Sequence, residues 1–508
     1  MKVYNLNPGD LMVVVLYFIG MLAVGTYCRR RQKSTKEYFL ASGSMGWLTI
    51  GISIVATLIS TVSYLAVPGE IIANGPCLLF SFLAYPIAYV IIARVIIPFY
   101  LSLKITSAYE YLELRFGLSV RLLGASLFIV IRLVWMGLVL FTCSMVMVTI
   151  AGTPLIPTII LLGVVTTLYS GFGGIRAIII TDVIQFAILF GGAVVTLGLI
   201  ASRLGGVSFL SNALRATAAF DYPVISFDPT VRLSIVGMIL WGLAWNICTY
   251  GSDQIVIQRY LTVRDPKTVK FSIAVNFIAD FLLSVVLALV GLSLLIFYRE
   301  NAQLLPVVIA NGIKQNGDKL FSYFISDQLP VGICGLVIAA LFAAAMSSLS
   351  SGINSITTVV TTDMRQRFFR MAAADDLRFA QWFSFLIGGV SIILGCFVSL
   401  IDGNFIEIAN KSSSCFVGPL FAVFALGVFS RRANTAGVFI GVIAGVVSGV
   451  LITYWGQWFQ TKSISFGWLI PCSCAVTLTA GWLGSLLAQP PSFQQLDELT
   501  YKRKETQT

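Results

Sequence analysis

Long apolar stretches separated by short polar segments run from one end of the chain to the other. Thirteen can be marked: 10–28, 46–74, 77–103, 122–151, 156–172, 177–202, 230–252, 270–298, 331–362, 379–401, 405–429, 435–455 and 467–488. Most reach the roughly 20 residues that a helix needs to cross a bilayer, and the helix satisfies its own backbone there. The pattern predicts an all-α polytopic membrane protein with about 13 transmembrane helices and little chain outside them. The first stretch does not read as a cleaved leader. Only Lys2 precedes it, while Arg29, Arg30, Arg31, Lys33 and Lys36 follow, the reverse of a leader's charge order.

The polar segments carry the charge, and its sign is patterned. If the N-terminus faces outward, 22 of the 33 Lys and Arg residues fall in segments on the cytoplasmic side, Lys502, Arg503 and Lys504 of the tail included. That asymmetry is the positive-inside rule, and it predicts an odd number of crossings in a cell membrane, with the N-terminus outside and the C-terminus in the cytoplasm. The net charge of +11 is thereby assigned to orientation, which leaves no case for nucleic acid as a partner. Composition agrees: 57% of the 508 residues are apolar and 11% charged, against about 25% charged in soluble domains. There is no His, which excludes His proton relays, His-ligated metals and Ser-His-Asp catalysis. The nine Cys residues form no CxxC pair and read as small buried apolar residues.

Two stretches are interrupted. The second runs through Ser60-Thr61-Val62-Ser63 to Pro68-Gly69, and the seventh ends in Asn246-Ile247-Cys248-Thr249-Tyr250-Gly251-Ser252. These open two consecutive blocks of five stretches. Broken helices at corresponding places in two halves point to a transporter with inverted repeats and a binding site at mid-membrane. The competing reading is that Gly, Ser and Pro simply pack membrane helices closely.

The ninth stretch, AALFAAAMSSLSSGINSITTVVTTD from Ala339 to Asp363, carries the densest candidate chemistry. Ala344, Ser347, Ser348 and Ser351 fall three, four or seven apart and share one helical face, with Ser350 beside them. A small hard cation takes oxygen ligands, so hydroxyls facing carbonyls freed by a broken neighbour would suit it. The plainer alternative is a packing seam whose hydroxyls bond back to their own helix. In GFGGIRAIIITDVIQF (171–186), Asp182 lies one to two turns into the sixth stretch. A carboxylate there costs about 2.5–3.5 kcal/mol at the span centre and should find a cation or a donor, or else complement the helix N-terminus. Arg132 would face an anionic ligand or pair with an acid. Glu407 and Lys411, four apart, would neutralise each other, and Asp280 and Arg94 read as packing or snorkelling charges.

Three segments, YSGFGGIRAIIITDVIQF (169–186), GSDQIVIQRYL (251–261) and AALFAAAMSSLSSGINSITT (339–358), resemble the sodium/solute symporter family of sodium-coupled sugar, proline, iodide, monocarboxylate and sialic acid carriers. The resemblance runs from about residue 8 to 488. It implies a LeuT-type fold of two inverted five-helix repeats, 46–202 and 230–429, joined by an extracellular loop, 203–229. Residues 1–45 would supply an extra N-terminal helix and a basic cytoplasmic loop, 430–488 two accessory helices, and 489–508 a cytoplasmic tail. It further implies a sodium site made by the carbonyls of Ala56, Ile59 and Ala344 and the hydroxyls of Ser347 and Ser348. SAYEYLELRF (107–116) is similar to bacterial sialic acid carriers, some of which hold a second sodium. The matching positions here are Asp182, Ser347, Ser350 and Ser351.

The solute pocket departs from that pattern. Trp135 stands where sialic acid carriers have the Arg that holds a carboxylate, and Phe82 stands for a pocket Gln, while Ser60 and Ser63 remain polar. Arg132, one turn before Trp135, is the candidate to take over a carboxylate. A sugar stacked on an aromatic ring and a small organic acid both stay open.

The resulting expectation is sodium-coupled symport of a small organic solute into the cytoplasm by alternating access, with two sodium ions per cycle and with sodium, solute and membrane lipid as partners. Proton coupling through Asp182 is the alternative within the same fold. A channel would need a continuous polar pore or a filter repeat, and an intramembrane enzyme a nucleophile with a base; neither pattern is in the sequence.

Overall fold

A computed structural model describes residues 7–500 except 31, 104, 106, 207–210, 212–219, 221, 264, 307–308, 310–311, 366–372, 399–404 and 492–498, together with the backbone but not the side chains of 373–374 and 405–413. Lys2, Arg31, Lys502, Arg503 and Lys504 lie outside the described residues, as do the side chains of Glu407 and Lys411.

The chain is helical throughout, and the only β-pairing among the described residues is an isolated bridge between Ser44 and Val263. The main elements are α1 (Pro8–Arg29), α2 (Trp47–Leu58), α3 (Thr61–Asn74), α4 (Pro76–Ser102), α5 (Ala108–Phe116), α6 (Leu118–Ala151), α7 (Leu155–Arg203) and α8 (Ile235–Ser252). They are followed by α9 (Gln254–Leu261), α10 (Pro266–Glu300), α11 (Gly317–Gln328), α12 (Ile333–Val359), α13 (Ala373–Val398), α14 (Phe405–Phe429), α15 (Thr435–Trp458) and α16 (Leu469–Gly484).

Every one of the thirteen expected stretches falls on helix. Among the described residues, ten helices are long and apolar enough to cross a membrane, or eleven with the bent pair α2–α3 taken as one span. Two physical causes separate this count from thirteen. The fifth and sixth stretches run together as the 49-residue α7, and α14 contributes only the shorter apolar run Ser414–Phe429. Within α7 the helix is nonetheless divided at Gly174, whose φ of 58° and ψ of −164° are open essentially to glycine alone. A Cβ at Gly174 would also lie 2.8 Å from the Tyr38 carbonyl oxygen.

Both predicted breaks are present, and each is built from an extended residue and a side-chain cap. Ile59 ends α2 at φ −87° and ψ 117°, and the Ser60 hydroxyl accepts from the Ser63 amide to start α3; the two segments meet at 69°. At the second break Asp253 is extended between α8 and α9, and its carboxylate accepts from the Ile255 amide at 3.0 Å. This lies one residue beyond the Asn246–Ser252 run.

Helix α12 occupies the centre. Residues 337–359 are buried without interruption, as befits a helix surrounded on all sides, and its small residues let α1, α6 and α7 pack on it closely. Helix α10 packs along α2 and α3, and α14, α15 and α16 pack on one another at the periphery. Leu11, Leu16 and Ile19 of α1 and Ile443 and Val447 of α15 stay exposed, the apolar surface that lipid would cover. This arrangement sets the α2–α3 break and helix α9 against the buried serines of α12.

Candidate ion and solute sites

Ending α2 at Ile59 frees carbonyls that a continuous helix would use, and α12 answers them. Ser347 donates to the Ala56 carbonyl at 2.8 Å and lies 3.2 Å from the Ala344 carbonyl, while Ser348 donates to the Thr57 carbonyl at 2.8 Å. Ile59 is the break residue itself. Of the five expected ligands, Ala56, Ala344 and Ser347 thus meet directly, and Ser348 reaches the same turn of α2 through Thr57. These serine hydroxyls bridge two helices, so the plainer reading of back-bonding within α12 does not account for them. A hydroxyl that donates to a carbonyl can rotate its proton away and turn both oxygens to a cation.

Asp182 lies deeper in the same interface, with its side chain fully buried. Its Oδ2 accepts from Ser53 at 2.5 Å, Thr57 at 3.3 Å and Arg259 Nη2 at 2.9 Å. Its Oδ1 is buried without a hydrogen-bond partner. An orphaned anionic oxygen at this depth is a ready ligand for a cation. Ser351 is drawn into the same cluster, 2.9 Å from the Thr57 hydroxyl and 2.6 Å from Arg259 Nη2, whereas Ser350 donates to the Ser347 carbonyl at 3.2 Å.

Arg259 is the residue that the sequence pattern misplaces. It falls in the polar segment after the seventh stretch and counts there among the cytoplasmic cations, yet its side chain is fully buried. Short helix α9 carries it inward, where its guanidinium bonds Ser53, Thr57, Ser351, the Ile255 carbonyl and Asp182. The available signal was the Asp182 carboxylate, which at that depth requires a counter-charge from some nearby polar segment.

Two cavities flank the α2–α3 break and share Leu58, Ser63 and Trp245. The smaller, about 170 Å³, is bordered by Arg132 and Trp135 of α6 and by Thr249 and Asp253. The larger, about 280 Å³, is bordered by Tyr85, Trp241, Asn246, Tyr250 and Asp280. Arg132 forms an ion pair with Asp253 across the smaller cavity, the second of the two roles open to it. Asp280 is not a snorkelling charge: it faces the larger cavity and accepts from the Tyr85 hydroxyl. Arg94 is exposed on the π turn Ile92–Ile96 of α4. Among the expected solute residues, Ser63, Arg132 and Trp135 line a cavity. Ser60 is wholly buried as the cap of α3, and Phe82 stands behind the wall, edge-on to Tyr85 at 5.0 Å and to Phe281 at 5.6 Å.

Comparison with known proteins agrees with this geometry. The profile of the sodium:solute symporter family matches residues 38–445. The sodium-dependent multivitamin transporter of Oryctolagus cuniculus is 30% identical over 508 residues, covering 97% of this chain and 79% of the rabbit protein. The sodium/sialic acid symporter SiaT of Proteus mirabilis is 28% identical over 465 residues, covering 89% of this chain and 91% of the bacterial protein. Among solved structures, a substrate-bound, outward-open Na+-coupled sialic acid symporter superposes with a TM-score of 0.84 at 26% identity, covering 95% of this chain and 99% of that one.

Proposed function

Because the chain belongs to the sodium:solute symporter family, with sodium as its coupling ion and transport rather than catalysis as its work, we propose that it carries a small organic solute into the cytoplasm with two sodium ions per cycle. The observation that carries this reading is the α2 break, where the Ala56 and Thr57 carbonyls stand within hydrogen-bonding distance of Ser347 and Ser348. The first sodium binds there, to Ala56, Ile59, Ala344, Ser347 and Ser348. It cross-links the broken helix to α12 and so stabilises the arrangement in which the solute cavities are formed. Its loss loosens that contact and favours release, which is the coupling that alternating access needs.

The second sodium takes the orphaned Oδ1 of Asp182 with hydroxyls from Ser347, Ser350 and Ser351. It shares the carboxylate with Arg259, so binding there requires the guanidinium to yield part of its hold. The solute occupies the cavities beside the break, against Ser63, Arg132 and Trp135, with Ser60 and Phe82 fixing the wall. The N-terminus faces outward and the C-terminus the cytoplasm, as the basic segments direct.

Uptake into proteoliposomes tests the reading. Replacing sodium with potassium outside abolishes concentrative uptake, and Ser348→Ala raises the sodium concentration for half-maximal uptake about tenfold or more, the loss of one to two kcal/mol of ligation. Concentrative uptake that survives in potassium, or that follows a proton gradient instead, overturns it.

A further inference from the structure

The charges bordering the two cavities do not sum to zero. Arg132 and Asp253 neutralise each other, and Asp280 remains. Asp280 lies near the middle of α10, and Tyr85 and Ser284 give it only neutral hydrogen bonds; no Lys or Arg pairs with it among the described residues. A carboxylate at that depth costs about 2.5–3.5 kcal/mol, and two hydroxyl donors do not cancel a full charge. Such a carboxylate is neutralised either by taking up a proton or by a cation that enters the cavity.

The walls say what form it takes. Tyr85, Tyr250, Trp241 and Trp245 border the same 280 Å³ space. Tyr85 is stacked on Phe277 at 4.5 Å, Trp241 and Trp245 on each other at 6.2 Å, and Asn276 donates to the Tyr250 hydroxyl. These contacts hold the rings in place. Ring faces attract a soft, weakly hydrated cation, and an ammonium or alkylammonium beside a carboxylate uses both features at once. A sodium ion needs several oxygens and gains little from indoles, and a volume of this size accommodates a small organic molecule. An anionic solute would meet net negative charge.

We propose that the transported solute bears an ammonium group, received by Asp280 and the aromatic walls of the larger cavity. The inference rests on the symport reading and narrows its solute class. The rest of the solute extends past Ser63 toward Trp135 and the Arg132–Asp253 pair, which offers a neutral, hydrogen-bonding end.

Matched probes test this on the purified full chain in detergent, by thermal shift in sodium and in potassium chloride. Choline is set against its uncharged carbon isostere 3,3-dimethylbutan-1-ol, glucosamine against glucose, and ethanolamine against ethylene glycol. The expected result is sodium-dependent stabilisation by an ammonium member and none by its neutral partner. In Asp280→Asn the apparent affinity for that member falls about 10- to 100-fold, as for loss of a charge-assisted contact. Stabilisation by a neutral member, by acetate or lactate, or by no ammonium member overturns the inference, as does undiminished affinity in Asp280→Asn. Sodium chloride alone should stabilise the wild type and Asp280→Asn over potassium chloride. If it does so while the ammonium probes fail, the solute inference falls and the symport reading stands; if sodium itself gives no stabilisation, the symport reading falls. The wild-type comparison is decisive without the variant.

Discussion

Arg259 and Asp182 are both wholly buried, and each is expensive without the other. Removing one partner of such a pair typically costs about 3–5 kcal/mol, because the survivor keeps its charge without its partner. Arg259→Gln should therefore lower Tm markedly in sodium-free buffer, and added sodium should restore more stability to it than to the wild type, since the competing cation is gone. A variant destabilised equally with and without sodium would refute competition at Asp182. Asp182→Asn should bring the sodium Hill coefficient of uptake toward one, and a value unchanged and well above one would remove the second ion from the scheme. Asp182 was legible in the sequence because an acid inside an apolar run has to be accounted for. Arg259 was not: eight residues of polar-looking helix following a break carry no sign that their Arg turns inward. Asp280 showed the opposite failure, a visible charge whose surroundings could not be read.

The membrane-length helices were legible, because 20-residue apolar runs admit one structure in lipid, but the short helices α5, α9 and α11 were not. The two breaks were legible as well, since Ser-Thr-x-Ser and Gly-Ser interrupt runs that would otherwise continue. The cavity was not legible as a unit. Its walls come from residues 58–67, 85, 241–250 and 280–287, and only packing shows that five helices present them to one space. Gly174 ties sequence to geometry more simply. Gly174→Ala should destabilise the protein by about 1–3 kcal/mol, checked by thermal unfolding, because its backbone conformation is closed to a β-carbon and the Tyr38 carbonyl blocks the space. At the start of α10, the Lys267 and Thr268 amides hold the exposed Asp265 carboxyl below its ordinary pKa. A depressed carboxyl stabilises the fold above the ordinary carboxylate range and loses that effect as pH falls through its own lower value. Asp265→Ala should therefore lower Tm at neutral pH, and the difference from wild type should shrink as pH falls below the ordinary carboxylate range.

At the scale of the molecule, coupling is an account of charge. Each charge moved inward is worth about 2.3 kcal/mol per 100 mV, so two sodium ions with a neutral solute draw roughly 4.6 kcal/mol from the potential, about three orders of magnitude of accumulation. A singly charged ammonium solute adds a third charge. Simultaneous current and tracer flux in proteoliposomes should give three charges per solute; a ratio of two would mean either a neutral solute or one sodium ion. The central position of α12 makes this coupling mechanical, because the same buried helix holds the serines that meet α2 and the Ser351 that meets Arg259. The tryptophans at the cavities have a further, optical consequence. Of nine tryptophans, Trp135, Trp241 and Trp245 border the solute cavities, whereas Trp47, Trp382, Trp455, Trp458 and Trp482 are exposed on the outer surface. Lipids with brominated acyl chains would quench those outer indoles that face the acyl region and leave a larger share of the emission to the cavity. With the solute in those cavities as proposed, the unlabelled protein would carry its own fluorescent reporter of occupancy.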